Sequence, residues 1–204
     1  MFKQWLLLIV LLPSLVFADD FIAGKDYEVV NGIEASHSEK ISVIEFFSYG
    51  CPWCFRIESS LEQWTKRQEK SIAFSRVPVV FNTDWTYYAK AYYTAELLGL
   101  GKKLTPLLFK AIQTDKKTLT SSQDMIDFFV AQGVNKDIAE SAFAHSTTVD
   151  MKVNEGNVTM ARFHITAVPA FVVNNAYKTD LQMAKSEERL LKVLDYLVAL
   201  SKKK

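Results

Sequence analysis

The sequence predicts an α/β protein, a small sheet interrupted by an all-helical insertion, and three observations carry that prediction. Runs of β-branched and aromatic residues at Ile41–Phe47, Ile72–Phe81 and Ala170–Asn174 read as strands. From Asp84 to about Ile165 such runs are missing, and apolar residues recur at helical spacing instead. Between the first two strands, at Cys51-Pro52, a strand pattern gives way to a helical one. The predicted order is strand, strand, helix, strand, helical block, strand, strand, helix.

At the start, Lys3 precedes an apolar run from Trp5 to Phe17, with Ala18 before Asp19-Asp20. One positive charge, a short apolar core and a small residue at the end describe a secretory signal peptide, expected to be cleaved after Ala18. The run is short for a bilayer span, so the expected product is exported to the periplasm. Losing Lys3 brings Lys+Arg from 24 to 23, equal to the 23 Asp+Glu. A chain without net charge argues against nucleic acid as a partner. The expected organisation is a signal peptide at 1–18, a sheet domain from 19–83 and 166–204, and a helical insertion at 84–165.

Tyr27–Val30 is a short strand candidate ended by the Asn31-Gly32 turn. Ile41–Phe47 is the continuous apolar run of a buried strand, with one anomaly, Glu45. A bare buried charge is very costly. Glu45 is therefore either a solvent-facing edge position or a buried acid beside the cysteines, its pKa raised by desolvation. Ser48-Tyr49-Gly50 breaks the strand, and a helix is expected from Cys51 to about Arg67. With Cys51 as N-cap, Pro52 takes the first helical position, where its missing N–H costs nothing. The Cys51 sulfur then meets the free amides of Trp53 and Cys54 and the positive helix end, which depress a thiol pKa. Cys54, one turn on, points the same way but inward. An exposed Cys51 is thus expected to be the attacked sulfur and Cys54 the resolving one.

In the insertion, Trp85, Ala89, Tyr92 and Ala95 follow an Asp84 cap, and Leu97-Leu98-Gly99 ends that helix. Further helices are expected at about 104–114, from Ser121 with Asp124 as capping partner, after Asn135, and at about 148–163. The aromatic group of Trp85, Tyr87, Tyr88, Tyr92 and Tyr93 reads as core rather than as a ligand box. After the strand at Ala170, an Asn174-Asn175 turn leads to Tyr177–Thr179. A last helix, capped by Ser186, presents Leu190, Leu191, Leu194, Leu197 and Val198 on one face.

Cys51 and Cys54 are the only cysteines of 204 residues. A structural zinc site wants four Cys or His ligands; His37, His145 and His164 stand in no ligand spacing, so no metal is expected. A purely structural bridge would close too small a loop to gain much chain entropy. The remaining reading is a dithiol/disulfide redox centre.

Phe46-Phe47-Ser48 running into Cys51-Pro52-x-Cys54, the helical insertion, and Ala167-Val168-Pro169-Ala170-Phe171-Val172-Val173-Asn174 together resemble the DsbA group of thioredoxin-fold thiol:disulfide oxidoreductases. The resemblance implies a thioredoxin-like fold with an inserted all-helical domain. It implies that Cys51 is the nucleophile, Cys54 its partner and Glu45 the buried acid beneath them. Pro169 would be a cis-proline facing the cysteines, and Val168 would offer its backbone to an extended substrate. The redox group would be the Cys51–Cys54 disulfide itself, with no separate cofactor. Implied partners are unfolded or reduced exported proteins and a quinone-linked membrane oxidase of the DsbB type. The dipeptide departs from the common Pro-His of the group: Pro52-Trp53 stands there, and a neutral indole stabilises the Cys51 thiolate less than a histidine does. A reductase or isomerase, and a peptide-binding assembly factor without turnover, remain the alternatives.

Overall fold

The computed structural model describes residues 21–34 and 38–202. The expected signal peptide and the last two lysines lie outside the described residues. Among the described residues the sheet has five strands: β1 (Glu28–Val29), β2 (Ile41–Phe47), β3 (Ile72–Pro78), β4 (Ala170–Val173) and β5 (Tyr177–Asp180). Their order is β1-β5-β4-β2-β3. Only β2 and β3 run parallel, with Glu45 opposite Arg76, while the other pairs are antiparallel. Glu45 therefore sits on an interior strand, and the edge reading falls.

Helix α1 (Pro52–Gln68) joins the parallel pair, as a crossover must. It packs with α8 (Glu187–Ser201) on one face of the sheet, where Ile57, Leu61 and Trp64 meet Leu190, Val193, Leu194 and Leu197. The Trp64 indole N–H donates to Asp195 at 2.8 Å, so the largest side chain of this layer also satisfies its polar atom. Between β3 and β4 lies the insertion: α2 (Thr83–Leu97), α3 (Gly101–Phe109), a π-helical turn (Lys110–Thr114), α4 (Ser122–Ala131), α5 (Lys136–Ala144) and α6 (Thr147–Arg162). Its core joins Leu104, Leu108, Phe109, Phe129 and Phe143 to Phe47, Tyr49 and both cysteines. Tyr88 and Tyr92 are buried in that core and Trp85, Tyr87 and Tyr93 pack against it, as the core reading required.

Several boundaries differ from expectation for local reasons. β3 stops at Pro78, and the cap of α2 is Asn82, whose side chain accepts from the Trp85 amide at 3.0 Å; Asp84 lies inside the first turn. The helix expected at 104–114 starts at Gly101 and widens into the π-helical turn. A short α7 (Leu181–Ala184), capped by Asp180 and ended by Lys185, precedes α8 and was not foreseen. Ser121, Asn135 and Ser186 cap α4, α5 and α8 as read from the sequence. Among the described residues, no helix is long and apolar enough to cross a membrane.

Candidate active site

The site lies where β2 hands over to α1. Cys51 is the N-cap of α1 and Pro52 its first residue. The Cys54 amide donates to the Cys51 sulfur at 3.2 Å, filling the role that a serine or aspartate oxygen has at other caps. Both cysteines are free thiols. Hydrogen bonding from the Cys54 side chain, and then from the Cys54 and Trp53 amides, outweighs burial and lowers the Cys51 pKa. Cys54 goes the other way: burial, its bond to Cys51 and the nearby charges push it well up. One helical turn separates a thiol that ionises readily from one that resists it.

Cys51 is not exposed, contrary to the expectation: it retains 4% of its surface against 0% for Cys54. The cover comes from far along the chain. The Val168-Pro169 bond is cis, and the Cys51 thiol donates to the Val168 carbonyl at 3.5 Å. The Val168 carbonyl thus meets the cysteine, with the cis-bonded Pro169 next in the chain. Beside them opens a groove of about 500 Å³, lined by Trp53, Arg56 and Ile57 on one wall and by Ala167, Val168 and Pro169 among others. Trp53 is 52% exposed and carries the Arg56 guanidinium 5.1 Å above its ring.

Glu45 is fully buried beneath the site. The parallel register brings Arg76 beside it, and the Arg76 Nε donates to Glu45 Oε2 at 2.6 Å. The other two guanidinium nitrogens grip Glu58 of α1 at 3.0 and 2.8 Å. Burial, with Glu58 adding repulsion, outweighs Arg76 and raises the Glu45 pKa to about 7. That direction holds despite the short contact, because Arg76 divides its charge between two carboxylates and Glu45 Oε1 finds no hydrogen-bond partner among the described residues. Arg76 itself is driven up by the two carboxylates against its own burial, so it stays cationic. The Glu45 charge raises both thiols in turn.

Two contributors escaped the sequence reading. Arg76 was readable as the one cation in an apolar strand, yet its pairing with Glu45 needed the register. Gln113, on the π-helical turn, donates to the Tyr49 carbonyl at 2.6 Å, just ahead of the cysteine cap. The Tyr49 hydroxyl is within 3.1 Å of Thr105, and Phe109 touches the rings of Phe47, Tyr49 and Phe55. The insertion therefore holds the loop from which α1 starts. Gly50 is needed there, because a side-chain carbon would collide with Trp85 of α2.

A thiol pair of opposed acidities at a helix N-terminus, in contact with the carbonyl that precedes a cis-proline on a mixed sheet, defines a thioredoxin-type redox site. The family model of the DSBA-like thioredoxin domain matches residues 61–195. The chain is 38% identical over 178 residues to the thiol:disulfide interchange protein DsbA of Burkholderia cepacia, covering 86% of this chain and 84% of that protein. It is 34% identical over 182 residues to the DsbA of Pseudomonas syringae, covering 89% and 85%. The crystal structure of Pseudomonas aeruginosa DsbA superposes with a TM-score of 0.84 at 29% identity, over 91% of this chain and 97% of that one. A Proteus DsbA variant solved with a non-covalently bound peptide, PWATCDS, gives a TM-score of 0.69 at 26% identity, covering 89% and 98%. The chain belongs to the DsbA-like thioredoxin domain family.

Proposed function

We propose that this protein is a periplasmic thiol:disulfide oxidoreductase that donates the Cys51–Cys54 disulfide to newly exported proteins. The observation that carries the reading is the opposed shift of the two thiols, Cys51 down and Cys54 up, across one turn of α1. In the oxidised form a substrate thiolate attacks the Cys51 sulfur. The Cys51–Cys54 bond breaks, Cys54 leaves with the electron pair and takes up a proton, and a mixed disulfide joins substrate to Cys51. A second substrate thiolate then attacks the substrate sulfur of that mixed disulfide and expels Cys51 as thiolate. The substrate dithiol loses two electrons, which the cysteine pair gains, and two protons, of which one goes to Cys54 and the other to solvent while Cys51 stays a thiolate. The stability of the Cys51 thiolate at the helix end drives the transfer.

Glu45, with a pKa near neutrality, is the group proposed to exchange the Cys54 proton. The backbone of Val168 and the cis Pro169 would align an extended substrate as an added strand, a reading supported by the peptide bound to the Proteus relative. The redox group is the disulfide itself. Reoxidation is assigned to a quinone-linked membrane oxidase of the DsbB type, and export to the signal peptide ending at Ala18.

Changing Cys54→Ala should trap substrate–enzyme mixed disulfides in cells, and the intact protein should catalyse oxidation of a reduced model protein. A reduction potential as low as that of thioredoxin, about −270 mV, would overturn the oxidase reading in favour of a reductase.

A further inference from the structure

The groove beside Cys51 has two walls already described and a far end made by α7 and the start of α8: Asp180, Leu181, Lys185 and Glu187 line it there. Its charged groups are unequally committed. The Asp180 carboxylate caps α7, accepting from the Met183 amide at 2.8 Å. Glu187 accepts from the Ser60 hydroxyl and stands 4.0 Å from Arg56, whose guanidinium also covers Trp53. Lys185 has no side-chain partner among the described residues and is exposed. It is the uncommitted charge of the groove.

Its backbone adds a second observation. Lys185 ends α7 in the left-handed region, at φ 66° and ψ −16°. Helix ends in this conformation favour glycine or asparagine, since a Cβ is strained there. A lysine held at such a point, exposed and lining the same groove as Val168 and Pro169, points to a role for the side chain rather than for the turn.

We infer that Lys185 is a specificity-determining residue that favours substrate segments carrying a carboxylate within a few residues of the reacting cysteine. The inference rests on the oxidase reading. The extended substrate runs from Cys51 along the cis-proline wall into the groove, where an aspartate or glutamate side chain meets the ammonium. The carboxylates of Asp180 and Glu187 do not cancel this preference, because each already receives a proton donor from the protein.

Two dithiol peptides, identical except for Asp or Lys two residues from one cysteine, test it. At low salt the oxidised protein should oxidise the Asp peptide about fivefold faster, the size of one well-placed exposed ion pair. The ratio should shrink as salt screens it. Lys185→Glu should reverse the order while leaving the Cys51–Cys54 reduction potential unchanged. Lys185→Gly should abolish the preference with a Tm at least as high as that of the unaltered protein, since glycine fits the left-handed position. An Asp preference that survives in Lys185→Glu, or a rate change that follows a shifted potential, overturns the inference. Failure to oxidise either peptide would instead overturn the oxidase reading itself.

Discussion

Two buried carboxylates in this protein, Asp26 and Glu45, each face an arginine, yet their pKa values move in opposite directions. Asp26 is 1% exposed, near the beginning of the described chain, and both its oxygens are satisfied: Arg189 donates to Oδ1 at 2.8 Å and the Ile22 amide to Oδ2 at 2.9 Å. Those bonds outweigh burial, and the Asp26 pKa is lowered. Glu45 lies deeper, in the sheet, and has one arginine contact shared with Glu58, so burial wins and its pKa rises. Surface accessibility alone would call the two alike. Depth and the number of donors separate them, and they separate a carboxylate that holds the fold from one poised to titrate beneath a thiol pair.

The largest test of this contrast is Arg76→Met. It leaves Glu45 and Glu58 without their shared cation, and breaking a buried ion pair from one side costs ~3–5 kcal/mol. Denaturant unfolding above neutral pH should show that loss, with a smaller one in acid, where Glu45 is protonated. A cost near zero at both pH values would erase the distinction. Next comes pH itself. The folded pKa of Glu45, about 7, exceeds its unfolded value near 4.5, so the native state binds the extra proton between them. Stability should therefore fall as pH rises through this window, by about 3 kcal/mol from this group, and Glu45→Gln should flatten the slope.

Asp26 should behave in mirror image. Its folded pKa lies below the ordinary value of 3.8, so its contribution is present above that pH and is lost as pH falls through the folded pKa. Asp26→Asn should remove this acid-side loss and cost about 1.5–3 kcal/mol at neutral pH, the worth of hydrogen bonds to a charged group. The smallest expected effect is on the cysteines. Because the Glu45 charge raises the Cys51 pKa and ranks behind the hydrogen bonds and burial, Glu45→Gln should lower the Cys51 pKa slightly. Thiolate absorbance against pH would measure it, and a rise in the Cys51 pKa would contradict the assigned sign.

What could be read in advance divides along the same line as the two carboxylates. Features set by neighbours in sequence were legible: the Cys51 cap with Pro52 behind it, the caps at Ser121, Asn135 and Ser186, and the inward turn of Cys54. Features set by distant pairing were not. Glu45 could be suspected as an acid, but its partner Arg76 became visible only through the parallel register of β2 and β3. Local helix geometry aimed the Cys51 sulfur correctly and still misjudged its exposure, because its cover arrives from Val168. The π-helical turn that directs Gln113 at Tyr49 leaves no mark in an apolar period of 3.6.

The contact between Cys51 and Val168 spans 117 residues. During synthesis from the N-terminal end, α1 with its cysteines appears long before the strand that closes over them. Loops of that length make late, slow-closing contacts. The growing chain therefore carries an unroofed, cap-activated thiol through most of its emergence, open to the same exchange chemistry that the finished protein performs on others. Maturation of the enzyme and access of its own nucleophile to other chains are thus set by one event, the docking of β4 against β2.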